Sequence, residues 1–188
     1  MTRARVGKLL LVDDRRENLI ALEAILQGLP VEMASVTSGE DALKRLLRED
    51  FAAILLDANM PSMDGFETAT HIKQRARTRH IPIIFLTAVD YDARLAFRGY
   101  EAGAVDYITK PFDPWMLRSK VAVFVEMWIT HANLAAQAAD CQMLREGIDE
   151  AVKLLTGDPA DPAAAVAALQ DVRSRLSASW ASNAQVTS

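Results

Sequence analysis

The sequence predicts an α/β domain, a doubly wound five-stranded parallel sheet in the order 2-1-3-4-5, followed by a C-terminal helical extension. Three observations carry this. Five short apolar runs alternate with helical patterns over roughly the first two thirds of the chain, and such alternation builds a parallel sheet with helices on both faces. One run, Ala53-Ile54-Leu55-Leu56, is apolar without interruption, as a strand buried on both faces must be. Polar residues then stand at the strand ends, namely Asp13-Asp14, Asp57, Thr87 and Lys110, where open α/β sheets bind ligands.

The elements follow in order. Leu9 to Val12 reads as the first strand, ending in Asp13-Asp14. Arg16 to Leu26 has Leu19, Leu22, Ile25 and Leu26 at helical spacing and Gly28 as its stop. Val31 to Val36 is a strand of weak alternation. Ser38 then suits the N-cap of a helix carrying Ala42, Leu43, Leu46 and Leu47. After the third strand, Gly65 to Gln74 is a helix running into a basic stretch, Arg75 to Arg79. That stretch reads as a solvated helix end, with docking of an acidic partner as the second reading. Ile81 to Leu86 is the fourth strand, with Pro82 tolerated near its start. Asp92 to Ala102 is a helix stopped by Gly103, and Val105 to Thr109 is the fifth strand. Asp113 caps a helix with Pro114 in first position. Right-handed crossovers bring the ends of strands 1 and 3 together at the switch point. Asp13, Asp14 and Asp57 then share one crevice, flanked by Thr87 and Lys110.

Composition excludes several classes. A chain of 188 residues allows one medium domain with an appendage. A net charge of -4 gives no reason to expect a nucleic-acid partner. The single cysteine, Cys141, rules out an internal disulfide framework and fits a reducing compartment; it reads as a small apolar residue on a helix. Lys8 to Val12 is too short to cross a membrane, so a cytoplasmic protein is expected. His71, His80 and His131 have no ligand spacing and read as surface or packing residues.

Three carboxylates in one crevice repel. Two charges about 5 Å apart cost roughly 3 kcal/mol at an effective dielectric near 20. The cluster therefore calls for a cation or raised pKa values, and carboxylates with water suit Mg²⁺. Thr87 supplies a hydroxyl and Lys110 a point charge, both suited to an incoming phosphoryl group. HExxH, CxxC, GxxxxGK[ST] and GxSxG are all absent, so the phosphate must come from outside.

Val12-Asp13-Asp14-Arg15, Leu56 to Gly65 (LDANMPSMDG), Leu86-Thr87-Ala88 and Tyr107 to Phe112 (YITKPF) together resemble the receiver domains of two-component response regulators, the chemotaxis-regulator-like group of flavodoxin-like fold. The resemblance covers roughly residues 7 to 128. It implies that Asp57 accepts a phosphoryl group from a phosphohistidine on a sensor histidine kinase or phosphotransfer protein. It implies that Asp14, Asp57 and the backbone carbonyl of Asn59 bind Mg²⁺, with Asp13 helping through water. It further implies that Lys110 holds the phosphoryl oxygens, that Lys110-Pro111 is cis, and that Thr87 and Tyr107 form the switch. Such a protein is not an enzyme beyond its own phosphorylation and dephosphorylation. Arg15 and Arg16 stand where related sequences vary.

The receiver is expected over 1–128, a helical extension over 129–180 and a frayed tail over 181–188. From Pro114 to Leu155 the chain has no further proline, and Gly147 is its only glycine. One helix over that stretch would measure about 63 Å. Met127, Leu134, Cys141, Ile148 and Leu155 recur at sevens, with Leu144 and Ala151 as companions, which reads as a coiled-coil seam. After a turn at Thr156 to Pro159, Asp161-Pro162 starts a last helix with Val166, Leu169, Val172, Leu176 and Trp180 on one stripe. From Pro114 on the chain has six basic and eight acidic residues and no helix-turn-helix pattern, which argues against a DNA-binding output. The expectation is a homodimer that signals to a downstream protein through its helical arm. The alternative is a phosphorelay intermediate or sink whose tail is only a dimerisation handle.

Overall fold

The computed structural model describes residues 7–88, 106–157 and 159–184. These form β1 (Gly7–Val12), α1 (Arg16–Leu26), β2 (Val31–Val36), α2 (Gly39–Leu46), β3 (Ala53–Asp57), α3 (Gly65–Gln74), β4 (Ile83–Ala88), β5 (Asp106–Lys110), α4 (Pro114–Thr156) and α5 (Pro162–Ala184). The strands make one parallel sheet in the order β2-β1-β3-β4-β5, as expected. The helix expected over Asp92 to Ala102, its Gly103 stop, Val105 and Asp158 lie outside the described residues.

Strand side chains alternate between the two faces of a sheet, and both faces are covered. Leu10, Val12, Ile54, Leu56, Ile83 and Phe85 pack with Ala42 and Leu46 of α2 and with Phe66, Ala69 and Ile72 of α3. Leu9, Leu11, Leu55, Ile84 and Leu86 pack with Leu19, Leu22 and Leu26 of α1 and with Leu117, Val121 and Val125 of α4. Double burial is why β3 had to be apolar throughout, and it leaves Asp57 as the first polar side chain the strand can present.

Several boundaries differ from the sequence reading. β4 begins at Ile83 rather than Ile81 because Pro82 has no N–H to donate; its carbonyl instead accepts from Ile54 N at 2.9 Å. Leu47 follows α2 as its C-cap and is 57% exposed, so it is not part of the core face. The Arg75 to Arg79 stretch is not merely solvated. Arg77 donates to Leu47 O at 2.8 Å and to Asp50 Oδ1 at 3.1 Å, and buried Thr78 donates to Ile72 O at 2.7 Å.

Side-chain caps fix the helix starts that frame the sheet rim. Ser38 Oγ accepts from Asp41 N at 3.1 Å, Asp64 Oδ1 from Glu67 N at 2.7 Å, and Asp113 Oδ1 from Met116 N at 2.8 Å. Each such cap contributes about 1 kcal/mol. The chain divides into two compact units, Val6–Ile129 and the part from Thr130 onward. In the second, Asp161 caps α5 through Ala164 N at 2.9 Å, and α5 continues past Trp180 to Ala184, into the stretch expected to fray.

Candidate functional site

The site forms because β1 and β3 are neighbours whose ends are level. Val12 pairs with Leu56, so the next residue on each strand, Asp13 and Asp57, meets at the rim. Asp13 is fully buried and Asp57 is 6% exposed, while Asp14 is exposed. Carboxylate oxygens of all three lie within 4.8 Å of one another. Among the described residues no other group of three or more acid, His or Cys side chains converges so closely, and none of the histidines joins this one.

Lys110 reaches the same point from the end of β5. Its Nζ donates to Asp13 Oδ2 at 2.8 Å and to Asp57 Oδ1 at 2.7 Å. The Lys110-Pro111 peptide that follows is cis, as the sequence reading anticipated. Thr87 lies one residue past Leu86, the register partner of Asp57, and its side chain is buried. Tyr107 pairs with Phe85 in register and its ring stacks on Phe85, with centroids 5.5 Å apart. Period-two alternation puts Thr87 on the strand face of Phe85, so Thr87 and Tyr107 belong to the same side of the sheet. Asn59 is exposed, two residues beyond Asp57.

Two features of the site escaped the sequence reading. Asn18, in the first turn of α1, donates from Nδ2 to Asp13 Oδ1 at 2.8 Å and to Oδ2 at 3.0 Å. Together with Arg15 N, 3.0 Å from Asp13 Oδ1, it holds that buried carboxylate in place. The signal was positional: helix side chains lean toward the N-terminus, so a polar residue in the first turn after β1 points back at the strand end. The second feature is Gly65. Its N–H donates to Ala58 O at 3.0 Å, and a Cβ there would collide with the Asp57 carbonyl oxygen and stand 2.9 Å from Ala58 Cα.

The electrostatics follow from three acids around one ammonium. Burial pushes the Asp57 carboxyl above its ordinary range, as do the charges of Asp13 and Asp14; the hydrogen bond and charge of Lys110 oppose this without overcoming it. Burial pulls Lys110 down, but its bonds to Asp13 and Asp57 and their charges outweigh that, and its net shift is upward. The upward shift of Asp57 is one of the two responses expected of a crowded carboxylate crevice.

Linkage gives a test. A carboxyl raised in the folded chain favours the fold fully below its unfolded value, and that contribution is lost as pH rises through the folded value. Ionised Asp57 therefore destabilises the metal-free protein at neutral pH. Lys110, also raised, contributes fully at neutral pH and is lost only above its ordinary value near 10.4. In EDTA at pH 7, Asp57→Asn is expected to melt a few degrees above wild type, with the gain shrinking toward pH 4, near the unfolded Asp value. A lower melting temperature at pH 7 would contradict this.

Comparison with known proteins agrees with the geometry. The response regulator receiver domain family matches residues 9–122. The chain is 40% identical over 115 residues to the response regulator PleD of Caulobacter vibrioides, covering 61% of this chain and 25% of that one. It thus spans only a quarter of that relative. It superposes on chemotaxis protein CheY4 of Vibrio cholerae with a TM-score of 0.59 at 28% identity, covering 62% of this chain and 97% of that one. The DrrB receiver domain of Thermotoga maritima gives 0.58 at 33% identity, with 65% and 99% covered. With the 2-1-3-4-5 sheet and its carboxylate crevice, these matches lead to one conclusion: this chain belongs to the response regulator receiver domain family.

Proposed function

We propose that the chain is a phosphorylation-switched response regulator of a two-component system in which Asp57 is the phosphoacceptor. The observation that carries this is the pair of bonds from Lys110 to Asp13 and Asp57, which puts a cation at the point where phosphoryl oxygens would arrive. A carboxylate oxygen of Asp57 attacks phosphorus, the P–N bond of a donor phosphohistidine breaks, and an acyl phosphate forms. Water later attacks that phosphorus and returns the carboxylate and inorganic phosphate. The chain catalyses only these two steps on itself.

Three carboxyl groups converge on one ammonium, a set of oxygen donors that fits a divalent cation. Asp14, Asp57 and the Asn59 carbonyl would hold Mg²⁺, with Asp13 acting through water. Bound there, the ion neutralises charge that builds on the transferring group. Asn18 and Lys110 orient the carboxylates, and Lys110 passes from its carboxylate partners to the phosphoryl oxygens. Thr87 then bonds the phosphoryl group and Tyr107 moves inward on the same side of the sheet.

On this reading the partners are a sensor histidine kinase or phosphotransfer protein, a downstream protein met by the helical arm, and a second copy of the chain. The long arm favours this reading over a phosphorelay sink, which needs only the receiver. The test is incubation with acetyl phosphate and Mg²⁺ followed by intact mass: a gain of about 80 Da, one phosphoryl group, is expected, and its absence would sink the proposal. Thr87→Ala is expected to take up label but lose the phosphorylation-dependent response, with a melting temperature near that of wild type. Lys110→Ala is expected to lose the response as well and to melt lower, because it leaves buried Asp13 and Asp57 without their ammonium partner. Normal switching in either variant would mean that the residue is only structural.

A further inference from the structure

From Thr130 onward α4 pairs with α5 as an antiparallel hairpin. Gly147 sits against Val172, where a Cβ would collide with Val172 Cγ2. Trp180 Nε1 donates to Asp140 Oδ2 at 3.0 Å, and at the turn Asp161 N donates to Leu154 O at 2.8 Å. Gly147, Ala151, Ala165, Val172 and Leu176 are buried along this seam.

That seam is not the heptad line of α4. Leu144, Ile148 and Leu155 stay 43%, 53% and 50% exposed, and Val166, Leu169 and Trp180 of α5 stay 54%, 45% and 63% exposed. At about 100° per residue, the first three lie roughly 60° to 100° around α4 from Gly147. The other three lie roughly 60° to 120° around α5 from Val172, in the same rotational sense. Antiparallel right-handed helices turn oppositely when viewed from one end, so equal offsets carry both stripes to the same side of the hairpin. The result is one continuous apolar face. With Leu134 and Val152 at its edge, it carries eight apolar side chains that are each 43–63% exposed, a contiguous apolar patch of the kind that marks an interaction site and that the apolar centre of a homodimer interface needs.

We propose that this face docks the same face of a second copy, closing a four-helix bundle about a twofold axis. The α4 stripe carries no charged residue, and in the α5 stripe only Arg173 does, its stem able to lie along the face with its head at the rim. A surface so poor in charge is not built for a partner chosen by charge. Repetition at sevens along α4, at Leu134, Cys141, Ile148 and Leu155, keeps a stripe in step with a partner helix of equal pitch, and an identical hairpin supplies that pitch. Under twofold symmetry the face need only complement itself, and a hairpin with one apolar side is half of a four-helix bundle.

The proposal rests on the helical-arm reading but does not need Asp57 to be phosphorylated. Sedimentation of the full chain, without phosphodonor, should give twice 20.7 kDa. Ile148→Glu/Leu169→Glu should give the single-chain mass, with helical circular dichroism and acetyl-phosphate labelling unchanged, because both side chains are half exposed in the hairpin. The milder Ile148→Gln should weaken self-association roughly tenfold. Val123→Glu, which changes an apolar residue 54% exposed outside the hairpin, should leave the doubled mass. A wild-type chain of single mass up to tens of micromolar overturns the proposal. So does a doubled mass that survives both hairpin variants, or one that only Val123→Glu abolishes. Labelling is read in the same samples, so failure of the phosphoacceptor assignment is seen separately.

Discussion

Asp57→Asn is expected to abolish acyl-phosphate formation, with labelling by acetyl phosphate falling by more than about 100-fold. The amide keeps the shape of the side chain but loses the anionic oxygen that attacks phosphorus. Asp13 cannot substitute, because both its oxygens are bonded to Asn18 and one of them to Lys110. Asp14 lacks the lysine contact that Asp57 has: among the described residues Lys110 bonds Asp13 and Asp57. The variant should stay folded, since removing a buried charge whose pKa is raised relieves the crevice. Intact mass with and without donor gives the result, and a variant labelled at the wild-type rate would place the acceptor elsewhere.

Gly65→Ala is expected to be the most damaging small substitution in the domain. The new methyl meets backbone, the Asp57 carbonyl oxygen and Ala58 Cα, and neither can rotate away. Overpacking in a well-filled interior costs about 1–3 kcal/mol, occasionally more, and here it also moves the segment that carries Asp57 and Asn59. A loss of about 3 kcal/mol, read by denaturant melts, should accompany slower labelling. Gly39 is the matched control. A Cβ there collides with Thr68 Oγ1 and comes within 3.0 Å of Met63 Sδ, and these are side-chain atoms. Gly39→Ala should therefore be relieved by Thr68→Ala, whereas no side-chain truncation relieves Gly65→Ala. Equal behaviour of the two glycine variants in these double mutants would contradict the backbone explanation.

Much of the receiver was legible in the sequence because its signals are local. A strand buried on both faces has to be apolar throughout, so Ala53 to Leu56 announced the sheet centre and Asp57 its rim. Strand order followed from element count, and the order alone brought Asp13, Asp57 and Lys110 together. What was not legible depends on three-dimensional neighbours. Asn18 is one polar residue among several at the start of α1, and only the fold shows that its amide reaches Asp13. Gly65 read as the start of a helix, and only the fold shows that the backbone of Asp57 and Ala58 beside it leaves no room for a Cβ. In the tail, heptad spacing marked a genuine stripe, but the hairpin closes on the offset seam of Gly147 and Ala151. The single stripe expected on the last helix divides accordingly, Val172 and Leu176 facing inward and Val166, Leu169 and Trp180 outward. Periodicity reports that a face is apolar; it does not say which of two apolar faces pairs first.

We propose that the crevice of Asp13, Asp14, Asp57 and Lys110 makes Asp57 a metal-dependent phosphoacceptor. The most direct measurement labels the wild-type chain with acetyl phosphate, traps the acyl phosphate by borohydride reduction, and locates the reduced residue by peptide mass. The account predicts one modified position, Asp57, in Mg²⁺ and none in EDTA. Reduction at Asp13, Asp14 or another carboxylate in place of Asp57, or reduction at Asp57 undiminished by EDTA, would contradict it.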